Sequence, residues 1–225
     1  MIYNFEKELK LFSSSNNGMF KDEPIFNVIH YEHYLNCFRK IPEKWRSSFI
    51  KKFVNSNEQK YQTLVEMEVI SLFPEMLIDI KKINNKTPDF VIKSKREIIV
   101  DVYAAMHFIK SNKVGFDPCG QAIFVGGVTH HLEMALKEKF TKYSGHPLLV
   151  ILNKNFSFVD FDQIPFVDLT SYDGHENLSA FIVYESTQIN SKVEYRFHLV
   201  PYHFAKYPLT KEEIELIKSA FSKSL

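Results

Sequence analysis

The segment HPLLVILN, residues 146–153, is an unbroken apolar run of strand length that leaves no face for water. A strand of this kind is buried on both sides, and burial on both sides demands helices above and below its sheet. The helices are at hand. Val128, Leu132, Ala135, Leu136 and Tyr143 recur at helical spacing within GGVTHHLEMALKEKFTKYSG (126–145), which a glycine closes. Upstream, Tyr61, Leu64, Val65, Val69 and Leu72 do the same between Glu58 and Phe73, and Pro74 marks that helix's end.

Between the two helices, MLIDI (76–80), DFVI (89–92) and EIIVDVYA (97–104) read as strands, the last two joined by the polar turn KSKR. Helix, antiparallel meander, helix and buried strand make an α/β order. Residues 1–57 form a helical extension containing the loop SSSNNG at 13–18, and residues 58–225 form the α/β core. Strands near 180–186 and 194–200 complete it, followed by a helix that Thr210 and the two glutamates after it are suited to cap. With 45% hydrophobic residues over 225 positions, the chain can bury a substantial core.

Two acids interrupt this apolar pattern at matching places. Asp89 opens one strand of the hairpin and Asp101 sits inside the β-branched run of the other. Carboxylates on neighbouring strands can meet at one sheet edge, where they offer hard oxygen ligands to Mg²⁺ or Mn²⁺. The net charge of +1 argues against a protein that coats nucleic acid by bulk charge. Positive charge is local instead: Lys51 and Lys52, Lys81 and Lys82, then Lys86, Lys93, Lys95 and Arg96, and Lys137, Lys139 and Lys142. Most of these are expected on solvated faces. Cys37 and Cys119 form no paired motif, which excludes a zinc site or disulfide framework of the usual spacing and fits a reducing cytoplasm. No stretch reads as a signal peptide or reaches the roughly 18 apolar residues of a membrane span, so a soluble protein with no membrane partner is expected.

The order of a helix with an internal Glu, then TPDF, then a hairpin into IIVDV resembles the PD-(D/E)XK nuclease superfamily. That resemblance implies a restriction-endonuclease-like mixed sheet flanked by helices, and a metal-dependent endonuclease acting on nucleic acid, DNA foremost, in restriction, repair or defence. Pro88-Asp89 matches the PD half and Asp101 the second acid, with the Val102 carbonyl a further metal ligand. Glu66 or Glu68 supplies the helix carboxylate. The resemblance favours Glu66, the apolar stripe turns Glu68 inward, and the other of the pair is expected in solvent. The pattern's lysine, two residues past the second acid, is replaced by Tyr103, whose phenol carries no positive charge at neutral pH. Lys139, inside the apolar stripe of its helix, either supplies the displaced ammonium or snorkels to water. Lys93, Lys95, Gly127 and His130 are candidate nucleic-acid contacts, the last two at a helix start. A catalytically inactive member of the fold, binding nucleic acid or a protein partner, is the alternative. A homodimer fits either reading.

Overall fold

The structure, a computed structural model, describes residues 4–14, 29–55, 57–104, 114–116, 122–124, 128–143, 145–154, 161–189 and 192–222. Among the described residues the first elements are the helices α1 (Phe5–Ser14), α2 (Ile29–Lys40), α3 (Glu43–Asn55) and α4 (Asn57–Ser71). The strands β1 (Ile78–Asp79), β2 (Phe90–Lys93) and β3 (Glu97–Ala104) follow. After them come the small pair β4 (Val114–Phe116) and β5 (Ala122–Phe124), helix α5 (Val128–Phe140) and strand β6 (Leu148–Asn153). The strands β7 (Leu178–Ile189) and β8 (Lys192–Pro201) and helix α6 (Lys211–Phe221) complete the order.

The main sheet runs β1-β2-β3-β6-β7-β8, and β4 and β5 form a separate two-stranded sheet. β1, β2 and β3 are the expected antiparallel meander. All six residues of β6 are buried, and the strand lies parallel to both β3 and β7, as its apolar run requires. β8 returns antiparallel to β7 over ten residue pairs, which makes both strands longer than their sequence suggests. The five-residue strand expected at 76–80 shrinks to β1, because the chain leaving Pro74 first takes a short 3-10 turn at Glu75–Leu77.

Each sheet face has its own core. On one face Val100, Val102, Leu149, Ile151, Ile182 and Tyr184 pack with α4, with α6 and with Phe5, Leu9, Phe49 and Phe53 of the upstream helices. On the other, Val91, Ile99, Val150, Leu152 and Phe181 meet Leu132, Leu136 and Phe140 of α5 and Phe161, Ile164 and Leu169. Each such aliphatic or aromatic side chain contributes about 1.5–3 kcal/mol when fully buried. The helices before residue 58 thus share a core with the sheet. Their cover makes α4 a core helix, not a one-sided amphipathic one. From Tyr61 to Ile70 every residue but Gln62 is buried. The expectation that Glu66 or Glu68 faces solvent fails for that reason, with exposures of 5% and 0%.

The final helix starts where expected. Thr210 accepts the amide of Glu213, and the Glu213 carboxylate accepts the amide of Thr210, a complete capping box. Glu213 also binds Arg96 and Ser94 in the β2–β3 turn, and Arg96 donates to the Pro208 carbonyl. Burial opposes ionisation of Glu213, yet the Arg96 contact and its other hydrogen bonds hold it down at about 2. Arg96 therefore fastens the hairpin turn to α6. Among the described residues no helix is long and apolar enough to cross a membrane.

Candidate functional site

The site is built on the approach to β2. Ile83 and Lys86 exchange two backbone hydrogen bonds around Asn84 and Asn85, whose positive φ angles of 49° and 63° suit a tight primed turn. The chain then meets Pro88 and Asp89 just before the first β2 pair, Phe90 opposite Val100. One residue beyond that pair, Asp89 falls across from Asp101, and opposed residues of an antiparallel ladder share a face. The register derived from two adjacent runs thus brings the two acids together.

β2 stops there while β3 continues, so the backbone of β3 loses its neighbour from Val102 onward. Side chains replace the missing strand. The Val102 amide donates to Asp89 Oδ2 at 2.7 Å. Gln62 of α4 donates through Nε2 to the Val102 carbonyl at 2.9 Å, and its Oε1 accepts the Ala104 amide at 2.9 Å. A single amide therefore pairs with the strand edge much as a backbone would. The Val102 carbonyl, expected as a metal ligand, is engaged by Gln62.

Glu66, one turn after Gln62, reaches the same place. Its Oε1 accepts Gln62 Nε2 at 3.1 Å and its Oε2 accepts Lys52 Nζ of α3 at 2.7 Å. Glu68 does not join it. Its Oε1 pairs with His33 Nε2 at 2.7 Å and its Oε2 accepts the Tyr184 hydroxyl at 2.9 Å, deep between α2 and the sheet. The expectation that Glu68 shares a metal with the two aspartates is corrected by this geometry.

Asp101 has no solvent exposure and is surrounded by donors from the end of α5. Lys142 Nζ lies 2.8 Å from Oδ2, Lys139 Nζ lies 3.4 Å from the same oxygen, and the Tyr143 hydroxyl donates to Oδ1 at 3.1 Å. Asp101 is thus neutralised by cations of the protein itself. Burial, then the Asp101 charge, raises the Tyr143 phenol above its ordinary value. Asp89 has fewer partners. Burial, then the negative field of Glu66 and Asp101, pushes its carboxyl up to about 7 against the pull of Val102 and Lys52. Among the described residues, only one Asp89 oxygen is engaged.

Lys139 thus stands where its helical stripe aims it. Tyr103 follows Asp101 on the α5 face, partly buried in that core, and burial and Glu138 push its phenol up to about 12. Lys93 and Lys95 lie at the turn end of the hairpin, roughly 13 Å along the strand from Asp101 at the usual rise per residue. Lys93 pairs with Asp79 at 3.5 Å, and Lys95 is exposed. Gly127 and the His130 side chain lie outside the described residues. Lys52, Gln62, Lys142 and Tyr143 complete the site without having been singled out for it. Gln62 and Glu66 at i, i+4 on a buried helix were the readable signal for one of them.

The carboxylates of Asp89, Asp101 and Glu66 lie near the open edge of β3, where burial first and then the charges of Glu66 and Asp101 raise the Asp89 carboxyl. This donor chemistry suits Mg²⁺ or Mn²⁺. Yet among the described residues no three His, Cys, Asp or Glu side chains stand in metal-holding proximity. The ammonium groups of Lys52 and Lys142 occupy oxygens that an ion would use. The chain matches no family model, no curated protein and no solved structure.

Proposed function

We propose that the protein is a metal-dependent nuclease of restriction-endonuclease-like fold that hydrolyses phosphodiester bonds of nucleic acid, DNA foremost, in restriction, repair or defence. The observation carrying this reading is the placement of Asp89 opposite Asp101, with Glu66 alongside and Lys139 on the Asp101 carboxylate. Asp89, Asp101 and Glu66 would hold Mg²⁺ or Mn²⁺. When bound, such an ion polarises the phosphoryl group and lowers the pKa of the attacking water. Lys139 holds positive charge beside Asp101, where the family pattern has a lysine and this chain has Tyr103, and stabilises charge developing on the phosphate. Gln62 fixes the β3 edge and the Glu66 carboxylate together. Lys93 and Lys95 are available to a flanking length of nucleic-acid backbone.

A second reading is favoured by the same contacts. Every oxygen of Glu66 and Asp101 already has a protein donor. A fold whose acids are neutralised internally serves as a non-catalytic scaffold for nucleic acid or a partner protein. A titration with Mg²⁺ and Mn²⁺, followed by cleavage of plasmid, linear and single-stranded substrates, separates the two. Cleavage that needs the ion supports the nuclease, and no binding and no cleavage at millimolar metal support the scaffold.

A further inference from the structure

We propose that Lys142 is a tethered counter-ion that occupies the metal position of the resting site and leaves Asp101 when a divalent ion enters, while Lys139 stays. The inference rests on the metal-dependent reading above and deepens it. Its starting point is an excess: two ammonium groups crowd one carboxylate oxygen, Asp101 Oδ2, at 2.8 and 3.4 Å. One charge suffices to neutralise the carboxylate, and the two cations repel each other.

The two lysines differ in what holds them. Lys139 belongs to helix α5, which fixes its backbone, and its side chain is 17% exposed. Lys142 lies past the helix end, in a turn where its amide donates to the Lys139 carbonyl at 3.1 Å, and its side chain is 31% exposed. Besides Asp101, its ammonium rests over the Tyr143 ring, 5.0 Å from the centroid, a contact of modest strength at a partly exposed position. Lys86, whose ammonium reaches the Thr141 carbonyl, adds positive charge at the outer side of the same turn. Lys142 therefore has the shorter path to water and the weaker anchorage. A dication arriving at Asp101 brings twice its charge, and the flexible lysine is the group that yields.

The test uses the whole protein in two ways. In amine-reactive labelling read by mass spectrometry, adding Mg²⁺ raises the labelling rate of Lys142 several-fold and leaves Lys139 unchanged. In Asp101→Asn, Lys142 labels fast with or without Mg²⁺. In a calorimetric titration with Mn²⁺, Lys142→Met binds about tenfold more tightly or better than the wild type, the scale expected on removing one unit charge a few Å from the ion in a partly screened site. Wild-type protein that binds Mn²⁺ with Lys142 labelling unmoved, or a Lys142→Met affinity no higher than wild type, overturns the inference and leaves the nuclease reading standing. Absence of metal binding by both proteins at millimolar concentration removes the nuclease reading and this inference with it.

Discussion

Glu66 and Glu68 stand two residues apart on one helix and are both buried, yet they are held in opposite ways. Glu66 takes a lysine whose side chain is 45% exposed, together with an amide on its own helix. Glu68 takes a histidine and a tyrosine that are sealed in the core. A long flexible cation can exchange its carboxylate for water or surrender it to a metal. A buried ring cannot. The difference lies in the mobility of the partner and not in the burial of the acid, and it divides α4 into a face turned to the candidate site and a face that holds α2 to the sheet.

The largest effect expected at the first face is on cleavage. Asp101→Ala lowers metal-dependent activity by about two orders of magnitude or more, the scale of losing one charge-stabilising group, with the circular dichroism of the fold kept. Lys139→Ala lowers turnover comparably without lowering Mn²⁺ affinity. At the second face the large effect is on stability. Glu68→Ala strands a buried His33 and costs about 3–5 kcal/mol in urea denaturation, whereas Glu66→Ala frees an exposed lysine and costs less than about 1 kcal/mol. Equal losses from the two variants would erase the contrast.

The faces also differ in pH window. Burial alone would depress the His33 imidazole, but its contacts with Cys37 and Glu68 reverse this and push it up to about 10 from 6.5. A raised histidine contributes stability that is complete below pH 6.5 and lost as pH climbs through 10. Asp89 is raised from 3.8 to about 7, so the folded metal-free protein binds the extra proton, and its stability falls as pH rises from about 4 to 7. Asp89→Asn flattens the lower window, from about pH 4 to 7, and Glu68→Gln flattens the upper one, from 6.5 to about 10. Thermal midpoints across pH 4 to 10 read both. The smallest effect is expected from Tyr103→Lys, which yields cleavage no faster than wild type, since Lys139 already brings an ammonium to Asp101.

The sequence made one part of this arrangement legible. Asp89 and Asp101 were readable because strand alternation and a short hairpin turn set their register locally. Lys139 was readable because the stripe of α5 passes through it. Lys52 was not, because it meets Glu66 from another helix, and the i, i+4 spacing of Gln62 and Glu66 did not say that Gln62 reaches β3. Lys142 looked like one more surface charge, since the turn after α5 has no repeating pattern to aim it. The two burials of α4 escaped for a related reason: an apolar stripe reports one packed face and is silent about helices that close over the other.

Gln62 carries a consequence beyond positioning. A strand edge with unpaired amides and carbonyls is a template on which a second chain can build, and β3 runs past the end of β2 from Val102 to Ala104. Beside Asp89, which takes the Val102 amide, one glutamine plugs the rest, using both its donor and its acceptor. Glutamate in its place would have no donor for the Val102 carbonyl. Solubility of the folded protein at high concentration therefore depends on a residue that makes no contact with solvent-facing charge, and Gln62→Leu should reveal this as self-association in light scattering before any loss of secondary structure.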